Sequence, residues 1–73
     1  MKKRSVVIAG RHNTSITLEN EFLNELENIA KQQHKTINQL VTEIDSERNL
    51  SNLSSAIRIY ILEYIKNKKN TEL

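Results

Sequence analysis

Polar and hydrophobic residues alternate with a period of two along residues 13–18, Asn-Thr-Ser-Ile-Thr-Leu. This period is typical of a β-strand, and it places Ile16 and Leu18 on one face together with Thr14. The other face carries only polar side chains, those of Asn13, Ser15 and Thr17. A helix-start signal follows directly after Leu18, so the strand is short and its edges are open to another chain. We predict that it pairs antiparallel with the same strand of a second copy.

Three later segments carry apolar residues at the spacing of an α-helix. The first helix is predicted from about Asn20 to Gln33. Its apolar stripe consists of Phe22, Leu23, Leu26, Ile29 and Ala30. The stripe of the second helix consists of Ile37, Leu40, Val41 and Ile44. The third stripe is the broadest and consists of Leu53, Ala56, Ile57, Tyr60, Ile61 and Tyr64, widened by Ile59, Leu62 and Ile65.

Together, the strand and these helices present more apolar surface than a chain of 73 residues can cover alone. We therefore predict a homodimer. Its predicted core is formed by residues from the strand and the first two helices: Ile16, Leu18, Phe22, Leu26, Leu40, Val41 and Ile44.

The link between the first two helices contains signals for a helix end and a helix start. His34 and Lys35 close the first helix, and the second begins at once, so the two should meet in a tight corner. Thr36 and Gln39 match the capping box, in which each side chain bonds the backbone N–H of the other residue. The free N–H groups of this helix end, beside Lys35, are suited to an anion such as a phosphate. An ordinary helix cap explains Thr36 equally well.

Residues 5–9 are rich in β-branched side chains and precede a turn signal at Gly10. They predict either a second short strand, paired with the first in a hairpin of one chain, or an extended arm beside a dimeric ribbon. The sequence leaves both possibilities open.

The composition excludes several classes of protein. The chain has no Cys, so it forms no disulfide and no thiolate metal site, and His12 stands alone in a polar loop. Pro is absent and Gly occurs once, which favours a largely helical fold. There is no apolar run of about 20 residues that could span a membrane, and no catalytic constellation. We expect a soluble, cytoplasmic protein that is not an enzyme and uses no metal or cofactor.

Charge is segregated along the chain, although its net value is only +2. Residues 1–18 carry +4 and no acid, residues 19–48 carry −4, and residues 49–73 carry +2. This asymmetry favours a polyanionic partner for the basic ends, the alternative being a solvated N-terminal tail. Because the basic segment leads directly into the predicted strand, we expect the strand to present its polar face to DNA.

Three motifs flank or overlap these elements: Arg-Ser-Val-Val-Ile-Ala-Gly at residues 4–10, Thr-Ser-Ile-Thr-Leu-Glu at residues 14–19, and Asn-Leu-Ser-Ser-Ala-Ile-Arg at residues 52–58. With the order strand, helix and capped helix, they resemble a bacterial subgroup of the ribbon-helix-helix DNA-binding proteins. The resemblance covers residues 4 to about 63. The sequence departs from the family pattern at His34, which stands where a Gly is usual between the helices, and in having no Arg among the outward strand positions.

The resemblance implies a mainly α fold with a short β-strand: an intertwined homodimer with an intermolecular antiparallel two-stranded ribbon, here with an extra third helix. It implies that this ribbon enters the major groove of double-stranded DNA, where Asn13, Ser15 and Thr17 face base edges. The phosphates would be contacted by Thr36 and by the N–H groups of Ile37 and Asn38. The basic residues that we predict to contact the DNA backbone are Lys3, Arg4, Arg11 and Lys35.

These features predict a DNA-binding transcriptional regulator, and specifically a repressor. Its ribbon-helix-helix domain with the third helix is predicted over residues 13–66, after a basic arm or short strand at residues 1–12 and before a tail at residues 67–73. The alternative is an antitoxin-like or other dimeric module that binds a protein partner through the third helix.

Overall fold

The computed structural model describes residues 1–47 and 52–71 and contains two strands followed by three helices. The strands are β1 (Lys2–Ile8) and β2 (His12–Leu18), and the helices are α1 (Asn20–Gln32), α2 (Ile37–Glu47) and α3 (Leu53–Thr71). The predicted mainly α fold with an extra third helix is confirmed. The third helix continues to Thr71 and so extends into the segment that we assigned to a C-terminal tail.

The two strands form an antiparallel hairpin within one chain. Arg4 lies opposite Ile16, and Val6 lies opposite Thr14. Of the two possibilities for residues 5–9, the structure has the hairpin, and the strand begins earlier, at Lys2. The sheet of the single chain therefore consists of β1 and β2, and β1 occupies one edge of β2. Pairing with a second copy, as the sequence predicts, would involve the other edge.

The turn of the hairpin is built from two residues with positive φ. Ala9 has φ 55° and Gly10 has φ 75°, and the N–H of Arg11 donates to the carbonyl oxygen of Ile8 at 3.3 Å. Positive φ at both central residues is the requirement of a type I′ turn, whose twist matches that of the flanking strands. Gly10 meets this requirement without strain, whereas Ala9 adopts a conformation that costs about 1 kcal/mol for a residue with a Cβ atom.

The apolar face of the hairpin packs into a core formed with all three helices. α2 lies along β1, α3 lies along β2, and α1 packs against α2 and α3. The buried hydrophobic residues are Val6, Ile8, Ile16, Leu18, Leu23, Leu26, Ile29, Ala30, Leu40, Val41, Ile44, Ala56, Ile57 and Ile61. The residues predicted for a dimer core thus lie in the core of a single chain, with Phe22 half-buried at its margin. Their contribution to a dimer stays a prediction.

The end of α1 explains how a His replaces the Gly expected between the helices. His34 has φ 57°, its N–H donates to the carbonyl oxygen of Lys31 at 3.1 Å, and the N–H of Lys35 donates to that of Ala30 at 2.8 Å. These two bonds define a Schellman motif, in which the residue just past the helix adopts the left-handed conformation. A His tolerates this conformation less well than a Gly does.

We expect His34→Gly to raise the free energy of unfolding by about 0.5–1 kcal/mol. Gly removes the strain of the left-handed conformation, but part of this gain is lost because Gly also makes the unfolded chain more flexible. The measurement is the urea midpoint at an unchanged m-value. His34→Ala is the control, since it keeps the Cβ atom and should bring no gain. Equal midpoints for the Gly and Ala variants would contradict a strained His34.

The N-termini of α2 and α3 are capped by side chains. The Thr36 N–H donates to Gln39 Oε1 at 2.8 Å and the Gln39 N–H donates to Thr36 Oγ1 at 3.1 Å, which confirms the predicted capping box. At α3, the Ser55 N–H donates to Oδ1 of Asn52 at 3.1 Å. Both helices therefore begin at positions fixed by the local sequence.

Further along, α3 is joined to the end of α1 by two tyrosines. Tyr60 Oη accepts a hydrogen bond from Gln33 Nε2 at 2.9 Å, and Tyr64 Oη donates to Gln32 Oε1 at 2.8 Å. The opposite face of α3 exposes Ile59 and Leu62, whose exposed fractions are 45% and 56%. None of the helices that the structure describes combines the length and the hydrophobicity needed to cross a membrane.

Candidate nucleic-acid interface

One face of the hairpin is turned to solvent, and we call it the outer face. Its residues are Lys3, Ser5 and Val7 of β1 and Asn13, Ser15 and Thr17 of β2. The three β2 residues are exposed, as the alternation along the sequence predicts. Across the hairpin, Lys3 lies opposite Thr17, Ser5 opposite Ser15 and Val7 opposite Asn13. Apart from the half-buried Val7, the outer face is thus a polar surface with one lysine at its edge.

Two members of the outer face, Ser5 and Val7, were not among the predicted contact residues. Both follow from the hairpin register, which sets them beside Ser15 and Asn13. The sequence alone does not identify them, because Val6, Val7 and Ile8 are all apolar and only the structure shows that Val6 and Ile8 point inward.

The predicted backbone contacts of the hairpin separate into two groups. Lys3 lies on the outer face, and Arg11 is exposed beside the turn. Within the described part of the chain, neither of them has a carboxylate partner. Arg4 belongs to the other face, where its Nη1 lies 3.7 Å from Glu27 Oε1. The alternation that directs Lys3 outward directs Arg4 toward α1.

Lys35, the remaining predicted basic contact, forms an ion pair with Glu43 of α2. The lysine side chain is 31% exposed and the glutamate side chain 52% exposed. A pair this open to solvent contributes between 0 and about 1 kcal/mol, so a phosphate can compete with the carboxylate. The same reasoning holds for Arg4 and Glu27, whose side chains are 44% and 47% exposed.

Side chains of α2 hold its first turn against the free edge of β1. Asn38 Oδ1 accepts a hydrogen bond from the Val7 N–H at 3.1 Å, and Thr42 Oγ1 accepts one from the Ala9 N–H at 3.0 Å. The Thr42 hydroxyl donates in turn to the carbonyl oxygen of Asn38 at 2.7 Å. The start of α2 therefore lies along the edge of β1 that does not pair with β2.

That helix end retains donors for an anion. The N–H groups of Gln39 and Leu40 are bonded to the side-chain and main-chain oxygens of Thr36. The N–H groups of Ile37 and Asn38 have no acceptor among the described residues. Free N–H groups and the helix dipole both favour a negative charge at this position.

We expect Thr36→Ala to lower the free energy of unfolding by about 1 kcal/mol, because the cap on the Gln39 N–H is lost. If the helix end also holds a phosphate, DNA affinity should fall by a similar factor on every sequence. Urea unfolding and binding to two unrelated duplexes measure the two effects. Thr36→Ser, which keeps the hydroxyl, is the control. Lower stability with unchanged affinity would leave Thr36 as a helix cap only.

The last residue of the outer face is held by α3. The Thr17 N–H donates to Ser54 Oγ at 3.2 Å, and Arg58 Nη2 donates to the Thr17 carbonyl oxygen at 3.3 Å. Arg58 Nε also donates to Glu19 Oε1 at 2.9 Å. This hydrogen bond from Arg58, together with a backbone hydrogen bond, holds the pKa of Glu19 below its ordinary value. Both main-chain groups of Thr17 are therefore engaged by one helix.

The arrangement combines three elements suited to a nucleic acid. The outer face carries hydrogen-bonding side chains without an acid, its border carries Lys3, and the start of α2 adds free N–H groups. Within residues 1–47 and 52–71, no three His, Asp or Glu side chains are grouped as metal ligands would be. Such a surface can donate and accept hydrogen bonds along a groove and neutralise phosphates beside it.

Comparison with known families gives a match over nearly the whole chain. A family model described as a ribbon-helix-helix domain matches residues 1–65, which include both strands, α1 and α2. No curated protein and no solved structure was found to match the chain.

Proposed function

Because the chain belongs to the ribbon-helix-helix family, we propose that it is a transcriptional repressor that acts in the cytoplasm as a DNA-binding homodimer. Ribbon-helix-helix domains bind DNA as dimers, and they are typically found in transcription regulators or antitoxins. The observation that supports the proposal most directly is the outer face itself. Asn13, Ser15 and Thr17 are exposed side by side, next to Lys3, on a hairpin that contains no acidic residue.

Base recognition is assigned to the three β2 residues of the outer face. The major groove is about 12 Å wide and admits a two-stranded ribbon. The Asn13 amide can bond an adenine at two positions, which is worth about 1–3 kcal/mol of discrimination against other bases. Ser15 and Thr17 can each donate or accept one hydrogen bond, so they discriminate less. Asn13 is therefore the main determinant of sequence preference in this proposal.

Phosphate contacts are assigned to the groups around that face. Lys3 and Arg11 are free to bind phosphates, whereas Lys35 would exchange a weak carboxylate partner for a phosphate. Arg4 is given no contact in this proposal, because it lies on the other face of the hairpin beside Glu27. Thr36 and the N–H groups of Ile37 and Asn38 would bind a further phosphate at the start of α2. Because residues 19–48 carry −4, the acidic surface of α1 should point away from the duplex.

A dimer is essential to this mechanism for two reasons. The second copy doubles the +4 charge of the first 18 residues around a single symmetry axis. It also supplies a second set of base contacts, so that the preferred DNA site is symmetric. A dimer seated over a promoter would then repress transcription by occupying the groove.

We expect Asn13→Ala and Arg11→Ala to affect binding differently. Asn13→Ala should lower affinity for the preferred site by roughly 5- to 100-fold while leaving other sequences unchanged, because only a base contact is lost. Arg11→Ala should weaken binding to all sequences and reduce the salt slope by about 0.9 for each site engaged. The measurement is a salt-titrated binding assay on DNA from upstream of the gene and on a scrambled duplex.

Glu21→Gln is the matched control for this experiment, since Glu21 is exposed in the first turn of α1 and outside the proposed surface. It should leave the sequence preference unchanged. A change of preference in Glu21→Gln, with none in Asn13→Ala and Arg11→Ala, would show that the hairpin does not read the DNA.

A second candidate function rests on α3. Ile59 and Leu62 form an exposed apolar stripe on this helix, on the face opposite the core. Such a stripe favours a protein partner, as in an antitoxin-like module that binds a toxin through α3. Leu62→Lys distinguishes the two functions, because it should abolish binding of the product of an adjacent gene co-expressed with the chain and leave DNA binding intact.

A further inference from the structure

The motif at residues 52–58 supplies the N-terminal cap and the first turns of α3, but none of its groups belongs to the proposed DNA contacts. Its apolar residues Ala56 and Ile57 are buried in the core. Its polar residues Ser54 and Arg58 lie four positions apart and therefore project from the same side of the helix. Both bond the end of β2, so the motif reaches the strand that carries the predicted base contacts.

The main chain of Thr17 depends on α3 for its hydrogen bonds. In an antiparallel pair, residues whose main-chain groups point toward the partner strand alternate with residues whose groups point away from it. Thr17 is of the second kind: its N–H donates to Ser54 Oγ at 3.2 Å, and its carbonyl oxygen accepts from Arg58 Nη2 at 3.3 Å. Although Thr17 lies opposite Lys3 in the hairpin, its main chain is therefore held by α3 and not by β1.

Arg58 is itself held in place by a second partner. Its Nε donates to Glu19 Oε1 at 2.9 Å, and its side chain is only 25% exposed. The planar guanidinium thus bonds a carboxylate with one N–H and the Thr17 carbonyl oxygen with another, which the compact ammonium group of a lysine cannot do in the same geometry. Glu19 consequently orients the side chain that holds Thr17.

A fixed main chain also restricts the position of the Thr17 hydroxyl. Thr is branched at Cβ, so its χ1 angle is limited to a few rotamers and the position of Oγ1 follows from that of the main chain. Thr17 is exposed on the outer face, and within the described residues its hydroxyl has no hydrogen-bond partner. A group that is oriented before binding loses less conformational entropy when it contacts a base.

We propose that Ser54 and Arg58 are positioning residues for base recognition: they hold the main chain of Thr17 so that its hydroxyl meets a base edge in one defined position. Neither side chain touches the DNA. The inference rests on the proposed function, in which Thr17 contacts a base, and it gives the motif at residues 52–58 a part in the sequence preference.

A direct contact between Arg58 and a phosphate is the alternative, and it has different consequences. Loss of a phosphate contact weakens binding to every sequence and lowers the slope of log affinity against log salt. Loss of a positioning residue lowers affinity only for sites with the base that Thr17 prefers, and it leaves the salt slope unchanged. The two roles of Arg58 are therefore separated by measuring preference and salt slope together.

The first step of the test locates the base pair that Thr17 reads. Thr17→Val keeps the branched shape and removes the hydroxyl, so it should abolish the preference among the four bases at one position of the DNA site. Ser54→Ala and Arg58→Ala should each lower the preference at that same position by about 2- to 10-fold, the value of one hydrogen bond. The preference at the position read by Asn13 should not change.

A double-mutant cycle then shows whether Arg58 acts through Thr17. In the Thr17→Val background, Arg58→Ala should cause no further loss of preference, whereas in the Asn13→Ala background it should retain its full effect. Arg58→Lys keeps the charge but not the two directed bonds, so it should resemble Arg58→Ala. Ser54→Thr keeps the hydroxyl and should restore the preference. Lys66→Ala, the matched loss of an exposed charge on α3, should leave it unchanged.

Amide hydrogen exchange without DNA provides a measurement that is independent of the proposed function. Ser54→Ala should speed exchange of the Thr17 N–H severalfold, while the amides of α1 keep their exchange rates because the fold is retained. An unchanged rate at Thr17 would contradict the part assigned to Ser54.

The outcomes for this inference and for the proposed function can be told apart. Sequence-specific binding by the unmodified chain, with the same preference in Ser54→Ala and Arg58→Ala, would overturn the positioning role alone. An equal loss of affinity on all sequences in Arg58→Ala, with a lower salt slope, would overturn it in favour of a phosphate contact. Absence of DNA binding by the unmodified chain would contradict the proposed function, and the positioning role with it.

Discussion

Ile16→Asp is expected to leave the chain unfolded at 25 °C, because Ile16 is completely buried where β2 meets the helices. Within the described residues, no buried polar side chain lies nearby to pair with a carboxylate. An unpaired charge in such a position costs more than about 4 kcal/mol. A domain of this size has a free energy of unfolding of roughly 4–10 kcal/mol, so most or all of its stability would be lost.

Ser15→Asp is the control for this substitution, since it introduces the same side chain one residue away on the exposed outer face. It should keep the circular dichroism spectrum and the cooperative unfolding transition of the unmodified chain. Circular dichroism and urea titration of both variants are the measurements. A folded Ile16→Asp protein with a normal midpoint would mean that β2 does not pack with its Ile16 face inward.

The second large effect is expected from reversing a charge on the outer face. Lys3→Glu should lower DNA affinity on the order of a hundredfold for a dimer at physiological salt, because each copy exchanges a phosphate contact for a repulsion. The slope of log affinity against log salt should fall by about 2, one contact from each copy. Since Lys3 contacts no carboxylate in the described chain, the fold itself should not change.

Lys2→Glu provides a matched comparison, because it changes the net charge by the same amount in the same strand. Lys2 lies opposite Leu18 on the other face of the hairpin, so the substituted carboxylate would point away from the DNA. We expect Lys3→Glu to exceed Lys2→Glu in its effect on affinity by about tenfold, since screening at physiological salt acts over about 8 Å. Equal effects of the two variants would indicate that only total charge matters, and would contradict binding through the outer face.

Much of this fold could be predicted because its signals are local. The period of two identified the inward face of β2, and the capping box at Thr36 located the start of α2. Even the unusual residue between the helices, His34, adopts the left-handed conformation that the family pattern implies. In each case the deciding interaction lies within a few residues of sequence, so no tertiary information was needed.

The pairing of β2 could not be predicted in the same way. A strand has two edges, and the alternation that turns Ile16 and Leu18 inward does not say which segment pairs with either edge. Pairing with residues 2–8 depends on whether residues 9 and 10 adopt positive φ together, and Ala at position 9 is an unusual residue for such a turn. The hydrogen bonds between the edge of β1 and the side chains of Asn38 and Thr42 join residues more than 30 positions apart in sequence, so no local sequence pattern predicts them.

The candidate site was predictable in part for the same reason. Alternation along the strand identifies Asn13, Ser15 and Thr17 as one face, and these three are exposed together. The alternation does not say which basic residues share that face. Lys3 and Arg4 are adjacent in sequence, and only the hairpin register shows that Lys3 lies on the outer face and Arg4 on the other. The hydrogen bonds of Thr17 with Ser54 and Arg58 of α3 join residues about 40 positions apart, so only the structure reveals them.

The hairpin of β1 and β2 also separates folding from assembly. Its pairing is local in sequence, so it can form within microseconds in an isolated chain, without a bimolecular encounter. In the single chain, every residue predicted for a dimer core is already buried except the half-buried Phe22. Although the sequence suggests a chain that needs a second copy to cover its apolar surface, the refolding rate should therefore be independent of protein concentration, and dilution should dissociate copies that remain folded. A protein present at only a few copies per cell would therefore keep its outer face folded as a monomer. Two such molecules could meet directly on a duplex, with the DNA as the template of their association.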